Sequence, residues 1–197
     1  MAVQRHEAPW TYEDLLALPA DGKRYEIIEG ELFELTGPKF AHGVAVMNLI
    51  LLLGPMVRSF GGIILTATMD VFFRGADPVQ PDIVILLPGS SAEPTDRGIE
   101  GPPDIVIEIL SPSNRVHDLL TKRALYERGG VREYWIGDPD ARTLEIASFV
   151  AGRSGSRIFA GDEPVVSNLL PDVPFPASAI FAGIDAADAE KAEIAAP

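Results

Sequence analysis

Cysteine is absent from this 197-residue chain. That excludes disulfides, thiolate metal ligands and a cysteine nucleophile. Histidine is scarce, with only His6, His42 and His117. None of these stand at the His-x-x-x-His spacing that puts two imidazoles on one helix face, so a zinc protease of that kind is disfavoured. Basic residues are the minority, 16 Lys and Arg against 29 Asp and Glu, for a net charge of −13. This balance counts against a tight, sequence-independent nucleic-acid binder, which normally carries a basic face. No apolar run reaches membrane length. The longest candidate, Val44 to Val57, is interrupted by Asn48, Gly54 and Pro55, and no membrane partner is expected. The first ten residues lack a signal-peptide pattern, so a cytoplasmic protein is the default expectation. A Gly-x-Ser-x-Gly elbow, a P-loop and a dinucleotide fingerprint are also missing.

What is present is apolar: 47% of the residues are hydrophobic, which argues for a folded domain with a sizeable core. Residues 1–184 read as one domain, and 185–197 as an acidic, Ala-rich tail expected to fray. Thr11 before Tyr12-Glu13-Asp14 resembles a helix N-cap. Arg24 to Thr36 reads as a hairpin turned at Glu29-Gly30. Phe40 to Phe60 reads as a largely buried helix stopped by Gly61-Gly62, with a kink or earlier stop at Pro55. Strand-like runs follow at Ile63 to Thr66, Asp70 to Arg74, Asp82 to Leu87 and Asp104 to Leu110. The last two are nearly continuous, as in strands covered on both faces. Pro88 to Pro103 reads as a long surface loop. Arg115 to Arg128 reads as a helix capped by Ser113 or Asn114 and stopped by Gly129-Gly130. Glu133 to Gly137 and Leu144 to Val150 are further strands, and after Gly152 the pattern weakens. The order implies a mixed α/β fold, with one central sheet and a crossover helix.

Two acids stand out because their neighbours are apolar. Pro81-Asp82 heads one strand, where turn chemistry alone explains an aspartate. Glu108 is harder to explain, because it interrupts Ile105-Val106-Ile107 and Ile109-Leu110. A carboxylate there needs a structural ion pair or a cation shared with Asp82. On helical periodicity Lys122 falls at the edge of an apolar arc made by Val116, Leu119, Leu120, Ala124 and Tyr126. Periodicity alone favours a solvated lysine there, although its stem is long enough to carry the ammonium inward. Arg123 lies within the arc and must snorkel, pair with an acid or meet a phosphate.

Several segments together resemble the Uma2 family of restriction endonuclease-like proteins, formerly DUF820, within the PD-(D/E)XK nuclease superfamily. They are Tyr25-Glu26-Ile27-Ile28-Glu29-Gly30-Glu31, His42, Asp70-Val71, Gln80-Pro81-Asp82, Glu108 to Ser113, Asp118 with Lys122 and Tyr126, and Gly130 to Pro139. The resemblance implies a restriction-endonuclease-like core with an N-terminal hairpin extension. It implies Asp82 and Glu108 as acids on Mg²⁺, with Mn²⁺ as a substitute. The superfamily lysine two residues after the second acid is absent, since that position is Leu110. Lys122 matches members in which the lysine has moved to the following helix. Glu31 is a further candidate acid, and His42 a candidate lining residue. The implied function is Mg²⁺-dependent hydrolysis of DNA phosphodiester bonds, and double-strand cutting would suit a two-fold homodimer. The acidity and the displaced lysine motivate an alternative, a nuclease-fold binding or assembly module with little catalysis. A non-nucleic-acid phosphoester as substrate is a third reading.

Overall fold

Two apolar runs, 83–86 and 105–109, form the middle of the molecule. The structure is a computed structural model and describes residues 3–4, 9–28, 30–35, 39–73, 78–111, 117–152, 154–170 and 173–185. The expected caps Ser113 and Asn114 and the tail beyond Asp185 lie outside these residues.

The chain begins with β1 (Val3–Gln4), the short helix α1 (Tyr12–Leu16), and the hairpin β2 (Arg24–Ile28) and β3 (Glu31–Leu35). Thr11 caps α1 in a reciprocal capping box with Asp14. The strands order as β1-β3-β2 in a small sheet. Next comes α2 (Phe40–Ser59), whose buried side is Ala45, Leu49, Leu53 and Val57. Pro55 lies inside this helix and does not end it. At 20 residues with mean hydropathy 1.9, α2 is long and apolar enough to cross a membrane by length and composition. The helix expected over this run is present, but it is buried along one side rather than largely buried.

Then follow β4 (Ile63–Thr66), β5 (Val71–Phe72), β6 (Ile83–Leu86), β7 (Glu93–Thr95), β8 (Gly98–Glu100) and β9 (Ile105–Ile109). A π-helical segment, His117–Lys122, leads directly into α3 (Arg123–Gly129). Gly130, with φ of 95°, adopts the left-handed conformation that ends the helix. The chain then forms β10 (Glu133–Asp138), β11 (Thr143–Ser148), β12 (Gly155–Ala160) and the single turn α4 (Ala177–Ile180).

The central sheet orders as β12-β11-β10-β9-β6-β4. It is mixed: β9 and β10 are parallel and joined through α3, while the other neighbours are antiparallel. Every residue of β6, β9 and β10 is buried, as two-face coverage requires. Alternation divides the core in two. Ile105, Ile107 and Ile109 pack with α2, Trp135 and the C-terminal turn. Val106 and Leu110 pack with α3, the hairpin and Phe73. Glu108 therefore belongs to the α3 face.

The expected loop from Pro88 to Pro103 instead contains β7 and β8, which join β5 in a third small sheet. These strands are short, and β7 is exposed throughout, so neither shows an alternating apolar pattern. Gly98 lets β8 pass closely over the chain. Its φ is 140°, and a Cβ there would lie 2.3 Å from the Asp70 carbonyl oxygen.

Candidate active site

Antiparallel pairing of β6 with β9 explains why residues far apart in sequence meet. Ile83 pairs with Ile107, so the start of β6 lies beside the end of β9. Asp82, one residue ahead of β6, accepts a hydrogen bond at Oδ2 from the Ile109 amide at 2.8 Å. The same oxygen lies 3.0 Å from His42 Nε2, presented by the first turn of α2. The Asp82 side chain is 18% exposed, so it stands at the edge of the core with access to water. Just behind it, Gln80 Nε2 donates to Asp70 Oδ1 at 2.9 Å.

Glu108 is only 3% exposed. Its Oε1 receives the Lys122 ammonium at 3.0 Å and the Tyr126 hydroxyl at 2.7 Å. Lys122 is itself 3% exposed and also lies 3.3 Å from Glu26 Oε2. Tyr126 and Glu26 are fully buried. Burial and the adjoining Glu108 charge push the Tyr126 hydroxyl well above its ordinary pKa of 10.0, which keeps it a neutral donor. Charges are costly to bury unless paired, and this cluster pairs them.

Of the three residues singled out in sequence, the structure joins Glu108 to Lys122 directly and sets Asp82, with His42 alongside, on the amide of the residue after Glu108. It does not bring Glu31 to them. Glu31 is exposed at the turn end of the hairpin. The hairpin acid that reaches the cluster is Glu26, which sequence reasoning passed over. Its signal was present: Glu26 shares a strand face with Ile28, so it points where an apolar residue points. Register places Glu31 opposite Ile28 on that same face, but beyond the covered part. Lys122 is buried rather than solvated because the turn before it is π-helical. Its wider i→i+5 repeat alters the phase that an α-helix would give. Arg123 resolves as a pair with Glu145 on β11, at 2.7 Å. Asp104, heading β9, is a structural clamp that bonds the Leu87 amide and Arg132.

The donor chemistry fits a hard divalent cation. Mg²⁺ is commonly held by one or two carboxylates and completes its shell with water and phosphate oxygens. Asp82 and Glu108 offer two carboxylates at adjoining strand ends. The Ile109 carbonyl projects to the same strand edge as the amide that binds Asp82. Among the described residues, no three His, Asp or Glu side chains form a metal-holding group, so no closed cage of the structural-zinc type is present there.

No curated protein matches the chain. Among solved structures, it is similar to "a putative nuclease belonging to DUF820" from Anabaena variabilis ATCC 29413. The two are 20% identical, the match covers 88% of this chain and 98% of the other, and the TM-score is 0.71. At that identity the likeness establishes a shared fold. The sequence model of the Uma2 family, described as "Putative restriction endonuclease", matches residues 12–178. That span takes in the hairpin, the whole central sheet and every residue of the Asp82–Glu108–Lys122 cluster, and the chain belongs to the Uma2 family.

Proposed function

We propose that this protein is a Mg²⁺-dependent endonuclease that hydrolyses DNA phosphodiester bonds, with Mn²⁺ able to replace Mg²⁺. The observation that carries the reading is the 3.0 Å contact between Lys122 and Glu108, with Asp82 bonded to the next amide along the strand. A carboxylate pair can hold a divalent cation, and an ammonium at its side can stabilise charge on a phosphate. A lysine remote from both acids, or an arginine on Glu108, would have favoured a scaffolding role.

In this reading Asp82 and Glu108 hold the cation, with the Ile109 carbonyl as a further oxygen. When bound, Mg²⁺ supplies charge neutralisation for the scissile phosphate and a lowered pKa for an attacking water. Lys122 orients the nucleophile or stabilises charge developing on the phosphate. Tyr126 fixes Glu108 through its hydroxyl, and His42 fixes Asp82. Two such sites related by a two-fold axis would serve the two strands of a duplex.

The test is cleavage of plasmid and single-stranded DNA with Mg²⁺, Mn²⁺ or chelator by wild type, Asp82→Ala and Glu108→Ala. Metal-dependent cleavage should be lost in both variants while both stay folded. Unchanged cleavage in both would sink the assignment.

A further inference from the structure

Glu26 comes from the hairpin ahead of the central sheet, yet it is fully buried against the site. Its Oε2 lies 3.3 Å from the Lys122 ammonium, an ion-pair contact rather than a directed hydrogen bond. Lys122 donates a hydrogen bond to Glu108 Oε1, at 3.0 Å. That creates a competition, because Glu108 is also a proposed cation ligand. A divalent cation on Glu108 repels the neighbouring ammonium and draws charge from the oxygen that holds it. The buried ammonium then leans more on the second buried carboxylate in contact with it. Glu26 already stands in contact with it.

We infer that Glu26 is a positioning residue for Lys122, taking the larger share of its ammonium when Glu108 turns to a divalent cation. The inference rests on the cation-dependent reading of the site and adds a role for the hairpin. The ammonium stays beside the reacting phosphate instead of competing with the cation. Glu26 acts only through Lys122 and is not itself a ligand.

Mn²⁺ binding by calorimetry tests this on the full chain, with wild type, Glu26→Gln, Lys122→Met and the double variant. Plasmid cleavage is read on the same preparations. Glu26→Gln should weaken Mn²⁺ binding roughly tenfold, the range seen when a supporting residue around a metal is lost. With Lys122 replaced by Met there is no ammonium to accommodate, and adding Glu26→Gln should weaken binding no further. Equal weakening in both backgrounds, or none in either, overturns the role given to Glu26 and leaves the nuclease reading intact. Mn²⁺ binding with this pattern but no DNA cleavage overturns the nuclease reading and leaves Glu26 its role. No Mn²⁺ binding by wild type overturns both. If Glu26→Gln does not fold, Glu26→Asp decides in the same two backgrounds. It keeps the charge but withdraws it from the ammonium, and should weaken binding only where Lys122 is present.

Discussion

Lys122 and Glu108 bury opposite charges in direct contact, so each is costly to lose alone. Lys122→Ala leaves Glu26 and Glu108 buried without the ammonium between them. It should destabilise the protein by about 3–5 kcal/mol, read as a lower urea midpoint. It should also slow cleavage by roughly 100-fold while changing Mn²⁺ affinity much less, because the lysine is not a cation ligand. Full activity would show that it has no part in the chemistry. Tyr126 gives a second prediction at this scale. Its hydroxyl is held well above pKa 10.0 in the fold and titrates near that value once unfolded. The neutral form is favoured by folding, so this contribution to stability is complete below pH 10 and is lost as pH rises further. Urea unfolding at rising alkaline pH should therefore show wild type losing stability faster than Tyr126→Phe. Parallel losses in the two would contradict the burial of a neutral hydroxyl against Glu108.

At the scale of elements, β10 carries a carboxylate of a different kind. Glu133 is fully buried on the face opposite Glu108, where its oxygens accept from Trp135 Nε1, the Ser167 hydroxyl and the Asn168 amide. Glu133→Ala leaves the fully buried Trp135 indole N–H without this acceptor and should cost about 2–3 kcal/mol, seen as a lower urea midpoint with unchanged Mn²⁺ affinity. Loss of Mn²⁺ binding in a folded variant would mean that the two faces are not independent. The main elements were legible in the sequence for a simple reason. β6 and β9 are covered on both faces and so read as nearly continuous apolar runs, and α2 ends at its glycine pair as expected. What stayed hidden lacks a periodic signal. β7 and β8 are short and partly exposed, β12 is exposed apart from Phe159, and the π-helical turn shifts the phase that periodicity assumes. The same limits apply to the site. Glu108 shows as a charge within an apolar run, Asp82 only heads one, and the family pattern is what points to Lys122. Glu26 is one of four glutamates in the hairpin, and Glu31 was the one singled out.

At the scale of the whole molecule, the net charge of −13 bears on how the proposed DNA substrate would be approached. A protein this acidic gains little from the counterion release that drives binding to the phosphate backbone. Cations at the site would have to bridge the acids and the phosphate. Gel-shift retention of DNA at physiological salt should therefore require a divalent cation, and tight retention in chelator would contradict this. The sheet supports such a site by placing Asp82, Glu108 and Lys122 where β6, β9 and the following helix converge. The most direct measurement is nicking of supercoiled plasmid by wild type and Asp82→Ala in matched reactions, with Mg²⁺ and then with chelator. Nicking by wild type with Mg²⁺ alone, and none by Asp82→Ala, is the result predicted. Equal nicking by the two proteins, or nicking that persists in chelator, would contradict it.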